Sequence, residues 1–147
     1  SKLMRHLLYD SEVELIPLKT ELDFIQNYVE LMKLRYSEKV KIDVYIPGRI
    51  PETSIPPLLF TSFVENAFKH GVGVQDSSFV SITFACVEEN LVFAIRNSKP
   101  GLKKEDEHKG IGIINSRKRL DLLYGDSYSL EIEDGKDEFV LTLTLPL

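Results

Sequence analysis

Two pairs of short apolar runs, each joined by a tight turn, limit the fold more than any other feature of this sequence. The first pair, FVSITFACV (79–87) and LVFAIRN (91–97), is joined through EEN. The second pair, SYSLEIE (127–133) and EFVLTLTL (138–145), turns on DGK. Runs rich in β-branched and aromatic residues on either side of such turns are typical of β-hairpins. The sequence therefore predicts two antiparallel strand pairs.

Helical patterns separate these strands. Apolar residues follow one another in steps of four and three from Leu18 to Tyr36, which predicts an amphipathic helix that starts near Thr20 and Glu21. VKIDVYI (40–46) predicts a strand. A second helix is expected from near Ser54, with Pro56 in its first turn, to Gly71 as a left-handed terminator.

The remaining segments complete the order of elements. The polar stretch 98–110 predicts a mobile loop, and the run after Gly110 predicts a helix that ends at Gly125. A short first helix over 2–9 and a break over 13–17 are expected at the start of the chain. The order predicts an α+β fold, a two-layer sandwich of a mixed sheet with helices on one face, preceded by a helical segment.

Size and composition exclude several classes of protein. The chain has 147 residues, of which 43% are hydrophobic and 28% charged, as in one soluble globular domain. A net charge of −5 without a basic run argues against nucleic-acid binding. No apolar run of about 18 residues or secretory signal is present. The single Cys86 rules out an internal disulfide, and a helical pattern at the first residue predicts that this is part of a longer chain.

One face of the second predicted helix collects four different polar groups. At about 100° per residue, Glu65, Asn66, Lys69 and His70 fall within one arc, and apolar residues occupy the other. A solvated face with a Glu65–Lys69 pair accounts for most of this pattern, but asparagine is a poor choice in mid-helix. The other interpretation is a nucleotide–metal site, because Mg²⁺ takes oxygen ligands together with phosphates.

The segment PPLLFTSFVENAFKHG (56–71) resembles the N box of the GHKL ATPase superfamily, in the form found in LytS-type sensor histidine kinases. Phe60 and Phe63 stand where the family has leucines, and Ser62 replaces its second proline. Residues 18–36 resemble the helix that leads into the family's ATP-binding domain. Residues 110–125 resemble its G2 box and the helix that follows it. The stretch LMRHLLY (3–9) resembles the tail of its dimerisation helices.

The resemblance implies a Bergerat-fold domain that binds ATP and Mg²⁺. It assigns residues 1–17 to the tail of the dimerisation region and residues 18–147 to the catalytic domain. Glu65 is the expected catalytic residue and Asn66 the expected metal ligand. The expected nucleotide-binding residues are Asn66, Lys69, His70, Asn97, Gly101, Gly110, Gly112, Asn115 and Arg119.

Parts of this site depart from the family pattern or remain open. Asn97 replaces the aspartate that accepts a hydrogen bond from adenine, and Lys99 replaces the first glycine of the G1 box. The stretch NSKPG (97–101) also fits an ordinary turn, and glycines ahead of a helix are common. Asn115 and Arg119 lie one helical turn apart and either reach the nucleotide or hydrogen-bond locally.

The resemblance also implies partners. No phosphoacceptor motif occurs in the sequence, and His6 lies on the helical tail, so transfer is expected to a histidine on an upstream helix of the same or a partner subunit. A response regulator of the LytTR class and a homodimeric full-length protein are expected. The chain would be the cytoplasmic domain of an inner-membrane sensor.

Two other functions compete with that of a histidine kinase. A degenerate nucleotide-binding or protein-interaction module without kinase activity is favoured by the altered NSKPG segment and disfavoured by the presence of Glu65 and Asn66. An ATP hydrolase related to MutL or gyrase shares the fold. The short chain and the LytS-type flanking segments argue against it.

Overall fold

The computed structural model describes residues 14–73, 77–99 and 106–147. Three α-helices lie in this part of the chain, together with a single 3₁₀ turn at Ser37–Lys39. The helices are α1 (Leu18–Tyr36), α2 (Thr61–Gly71) and α3 (Asp106–Tyr124). The strands are β1 (Ile16–Pro17), β2 (Val40–Tyr45), β3 (Ser54–Ile55), β4 (Ser78–Val87), β5 (Asn90–Ser98), β6 (Ser129–Asp134) and β7 (Glu138–Pro146).

Five strands form one mixed sheet in the order β2-β4-β5-β7-β6. β2 pairs parallel with β4, and the other neighbours are antiparallel. Both predicted hairpins are confirmed, and the β4–β5 turn places Glu88 and Glu89 at φ 49° and 65°. A parallel pair needs a crossover connection, which here contains α2. The predicted α+β fold with a mixed sheet is confirmed.

The core lies between α2 and the middle of the sheet. Strands β4, β5 and β7 bury alternate residues, so one face of the sheet is covered and the other is partly open to solvent. Phe60 packs against Phe84 and Phe93 with ring centroids 5.2 and 5.1 Å apart. Each such ring buries a large apolar area, so this cluster fixes how deeply the start of α2 sits on the sheet.

The start of α2 differs from the sequence prediction, because the helix begins at Thr61 and not near Ser54. Ser54 and Ile55 form β3, which pairs with β1 in a separate two-stranded sheet. A residue that precedes proline avoids the helical region, and Pro56 is followed by Pro57. Leu58 then has φ 61°, so the chain turns sharply before the helix can start.

Gly71 ends α2 for a different reason from the one predicted. Its backbone is not left-handed; Gly125, after α3, is the described glycine with positive φ, at 59°. A Cβ atom on Gly71 would lie 2.7 Å from the Cβ of Asn97 and 2.8 Å from its Nδ2. Glycine is needed here because the end of α2 touches β5.

Helix α3 begins at Asp106, inside the stretch predicted to be loop. Gly110 and Gly112 therefore lie within the helix and do not flank its start. Each glycine costs a helix only about 1 kcal/mol relative to alanine, and acidic residues such as Asp106 favour a helix N-terminus. The predicted end at Gly125 is confirmed.

Some predictions concern residues outside the described part of the chain. These are the helix over 2–9, His6, Gly101 and the part of the predicted loop from 100 to 105. The expected break over 13–17 contains β1, and α1 starts at Leu18, two residues before Thr20. None of the described helices is long and apolar enough to cross a bilayer.

Candidate nucleotide site

Helix α2 has the two faces that its sequence predicts. Phe63, Val64, Ala67 and Phe68 are buried against the sheet and α1. On the other side, Glu65 and Lys69 are exposed, whereas Asn66 and His70 are half-buried. Glu65 and Lys69 are thus open to a ligand, and Asn66 and His70 are partly covered by neighbouring protein.

A cavity of about 300 Å³ lies beside this polar face, between α2 and α3. Its lining comprises Ser62, Phe63, Glu65, Asn66, Lys69, Gly112, Ile113, Asn115 and Ser116. The structure therefore brings together five residues predicted from the sequence, namely Glu65, Asn66, Lys69, Gly112 and Asn115. Their side chains offer one carboxyl group, two amides and one amine to the same cavity.

Asn66 and Gly112 approach each other closely across this cavity. A Cβ atom built on Gly112 would lie 3.4 Å from Oδ1 of Asn66. The glycine thus leaves space directly beside the amide oxygen. The two helices contact each other here, so a side chain at position 112 would narrow the cavity.

Replacing Gly112 with alanine is expected to have opposite effects on stability and binding. The free energy of unfolding should rise by up to about 1 kcal/mol, because alanine favours a helix over glycine. The affinity for Mg²⁺–ATP should fall, because the methyl group occupies the space beside Asn66. Urea denaturation and titration calorimetry measure the two effects. Unchanged affinity would contradict the assignment of this space to the ligand.

Asn97 lies away from the cavity, at the C-terminal end of α2. It is 1% exposed, and its Nδ2 donates to the carbonyl oxygen of Ser98 at 2.9 Å. The Ser98 hydroxyl donates to the carbonyl oxygen of Gly71 at 2.6 Å and accepts from the N–H of Phe79 at 2.9 Å. These bonds join the end of α2 to β4 and β5.

Arg119 and His70 also lie outside the cavity lining. Nη2 of Arg119 donates to the carbonyl oxygen of Pro57 at 2.7 Å, so this guanidinium binds the turn ahead of α2. Of the two options for Arg119, local hydrogen bonding is the one observed. Gly110 lies in the first turns of α3, ahead of Gly112.

Glu21 is the residue that the sequence interpretation missed. It is 1% exposed, and its carboxyl oxygens accept hydrogen bonds from the N–H groups of Leu58, Phe60 and Thr61 at 2.9, 2.9 and 3.2 Å. It therefore anchors α1 to the start of α2. A signal was present, because Glu21 falls on the same helical face as the apolar Leu18 and Ile25.

Two tyrosines of α1 pack against α2 close to Glu65. Tyr28 packs edge-on against Phe68 at 5.7 Å, and Tyr36 stacks on the same ring at 6.4 Å. Partial burial raises the pKa of Tyr28, and the negative charge of Glu65 adds to the increase. The tyrosine hydroxyl thus lies within electrostatic reach of Glu65.

The residues present fit a metal that is held mainly by its nucleotide. No cluster of three or more histidine, cysteine or acidic side chains that could hold a metal exists among the described residues. Mg²⁺ in phosphate sites takes only one or two protein oxygens and completes its shell with phosphates and water. Oδ1 of Asn66 lies beside the open space at Gly112, and its chemistry is that of such a ligand.

Comparison with known proteins agrees with this geometry. A sequence model of the family described as "Histidine kinase" matches residues 1–40. The sensor protein LytS of Oceanobacillus iheyensis is 24% identical over 99% of this chain. The chain is similar to LytS sensor proteins and to sensor histidine kinases. The chain spans 28% of the length of that LytS protein, so the similarity covers only part of LytS.

Solved histidine kinases share the fold of this chain. The catalytic domain of histidine kinase ThkA aligns with a TM-score of 0.66 and 13% identity, over 90% of this chain and 95% of ThkA. Full-length ShkA, solved in complex with AMPPNP, aligns with a TM-score of 0.65 and 17% identity, over 91% of this chain and 31% of ShkA. The match to nearly all of one isolated catalytic domain identifies the fold as that of a histidine kinase catalytic domain.

Proposed function

We propose that the chain is the ATP-binding catalytic domain of a two-component sensor histidine kinase. It transfers the γ-phosphoryl group of ATP to a histidine on an upstream helix, for relay to a response regulator. The observation that carries the proposal is the cavity between α2 and α3, with Glu65, Asn66 and Lys69 on one wall and Asn115 on the other. The complex of ShkA with AMPPNP supports a nucleotide as the ligand.

The side chains have separate roles in this proposal. Glu65 orients the attacking group and accepts its proton. Asn66 offers a neutral oxygen to Mg²⁺, and Lys69 and His70 face phosphate oxygens. When bound, Mg²⁺ neutralises charge on the phosphates, and phosphoryl transfer depends mostly on such positioning and electrostatics. Gly112 and Asn115 belong to the second wall, and Gly110 precedes them on α3 and contributes its backbone to the phosphate end. Asn97 and Gly101 contribute to the adenine end.

The proposal extends to the rest of the protein. Residues 1–17 form the tail of the dimerisation and phosphoacceptor region, and residues 18–147 form the catalytic domain. The phosphoacceptor helix belongs to the same or a partner subunit of a homodimer. A response regulator of the LytTR class receives the phosphoryl group. The domain faces the cytoplasm and is part of an inner-membrane sensor.

One observation favours the alternative of a module without kinase activity. Nζ of Lys99 donates to Asp134 and to the carbonyl oxygen of Gly135, the latter at 2.9 Å. The residue in place of the first G1 glycine therefore ties the end of β5 to the β6–β7 turn. Such a tie restricts the segment that leads into the predicted loop of residues 98–110, and so disfavours a rearrangement of this loop around a nucleotide.

Replacing Asn66 tests the metal role directly. Asn66→Ala removes the oxygen ligand, and Mg²⁺–ATP should bind about ten- to a hundredfold more weakly, as expected for the loss of a group beside a metal. Asn66→Asp should also weaken binding, because it adds a negative charge beside the phosphates. Titration calorimetry with ATP, with and without Mg²⁺, measures both.

Asn27→Ala is the matched control, since Asn27 is an exposed asparagine on α1. It should leave the affinity unchanged. Equal affinity of wild type, Asn66→Ala and Asn66→Asp for Mg²⁺–ATP would disprove the metal role. No binding of ATP by the wild-type protein at millimolar concentration would favour the interaction module.

A further inference from the structure

We propose that Arg119 is a positioning residue for the nucleotide cavity and does not contact the γ-phosphate. It holds α3 against the turn ahead of α2 and so fixes the distance between the two cavity walls. The inference rests on the proposed function, since it concerns the width of the proposed nucleotide site.

The turn ahead of α2 is held from two sides by buried or half-buried charged groups. From α3, Nη2 of Arg119 donates to the carbonyl oxygen of Pro57 at 2.7 Å. From α1, the carboxyl group of Glu21 accepts hydrogen bonds from the N–H groups of Leu58, Phe60 and Thr61. Glu21 accepts hydrogen bonds from the N–H groups of the turn, and Arg119 donates one to its carbonyl oxygen. The turn is therefore fixed relative to both flanking helices.

The same arginine lies next to the cavity wall that α3 provides. Asn115 and Ser116 line the cavity, and Arg119 follows them by four and three residues on the same helix. At the other end of this wall, Gly112 approaches Asn66. The wall is therefore held at one end by a hydrogen bond and at the other by close contact between helices.

This arrangement determines what a loss of Arg119 changes. A packed interface responds to a lost contact by a shift of the helix, and shifts of about 1 Å at a site have large effects on binding. Without its bond to Pro57, α3 has no described polar link to the start of α2. The wall that carries Asn115 and Ser116 then loses its fixed distance from Asn66.

A direct contact with the γ-phosphate predicts a different pattern of affinities. An arginine that touches the γ-phosphate contributes to ATP binding and not to ADP binding. An arginine that sets the distance between the walls contributes to both equally. The ratio of the dissociation constants for ADP and ATP therefore separates the two roles, and a contact that only stabilises the fold changes neither constant.

The experiment compares Arg119→Met with Lys118→Met in the complete protein. Both variants lose one positive charge at neighbouring positions of α3, and Lys118 is exposed. Dissociation constants for Mg²⁺–ATP and Mg²⁺–ADP are measured at a temperature where both variants are folded. We expect Arg119→Met to weaken both ligands by the same factor, about tenfold, and Lys118→Met to weaken neither by more than about twofold.

Arg119→Lys keeps a donor for the Pro57 carbonyl oxygen and should recover part of the affinity for both ligands. If Arg119→Met does not fold, the dissociation constants for ATP and ADP are compared in Arg119→Lys instead. A loss confined to ATP would overturn the inference in favour of a phosphate contact. Unchanged affinities in Arg119→Met would overturn it in favour of a purely stabilising role. Failure of the wild-type protein to bind either nucleotide would instead remove the proposed function, and the inference with it.

Discussion

Glu21→Ala should lower the free energy of unfolding by about 3–5 kcal/mol, because each buried N–H group left without an acceptor costs about 1–3 kcal/mol. The substitution leaves three backbone N–H groups, those of Leu58, Phe60 and Thr61, without their acceptor. Two of these bonds are buried, so water cannot replace the carboxyl oxygens without opening the junction between α1 and α2. Urea denaturation measures the change, with the slope against urea expected to stay constant.

Asp23→Ala is the control for this experiment. Asp23 lies two residues further along α1 and pairs with Lys19 at 3.1 Å on the exposed surface. Loss of such a pair costs no more than about 1 kcal/mol. Glu21→Gln keeps one oxygen acceptor and should fall between wild type and Glu21→Ala. A loss below about 1 kcal/mol in Glu21→Ala would show that the start of α2 does not depend on this carboxyl group.

Gly71→Ala is the second substitution with a large expected effect. The added Cβ would lie 2.7 Å from Cβ of Asn97, an atom that cannot move without its backbone. Overpacking of this kind costs about 1–3 kcal/mol, and it outweighs the small gain in helix propensity at the last position of a helix. Thermal and urea unfolding should both register the loss.

Gly48→Ala is the matched control, because a Cβ at Gly48 has no atom within 4 Å. It should be neutral or slightly stabilising. Asn97→Gly removes the clashing Cβ, so the double variant Gly71→Ala with Asn97→Gly should be more stable than the sum of the two single losses predicts. Strict additivity would mean that the two residues do not collide.

Periodicity predicted the elements that local sequence determines. The steps of four and three in α1, the alternation in β2 and the turns of both hairpins all depend on neighbouring residues, and each is confirmed. The polar face of α2 was predicted for the same reason. Its arc follows from helix geometry alone, and the cavity beside Glu65 and Asn66 agrees with it.

Errors occurred where distant residues decide the structure. The start of α2 depends on the pairing of Ser54 with Pro17 and on Glu21 of another helix. The need for glycine at position 71 comes from β5, and Arg119 finds its partner in Pro57, 62 positions away. No local pattern contains these contacts. A resemblance to a family does not predict these contacts either, because it indicates which residues bind the ligand and not which residues contact each other.

The division of the cavity between α2 and α3 determines how binding and folding depend on each other. The two walls lie on opposite sides of the β4–β5 hairpin in the sequence, so no single helix or strand contains the site. A ligand that occupies it stabilises only the assembled domain, in proportion to the logarithm of its concentration. Conversely, any transient detachment of α3 releases the ligand, and the lifetime of the complex cannot exceed the time between such openings.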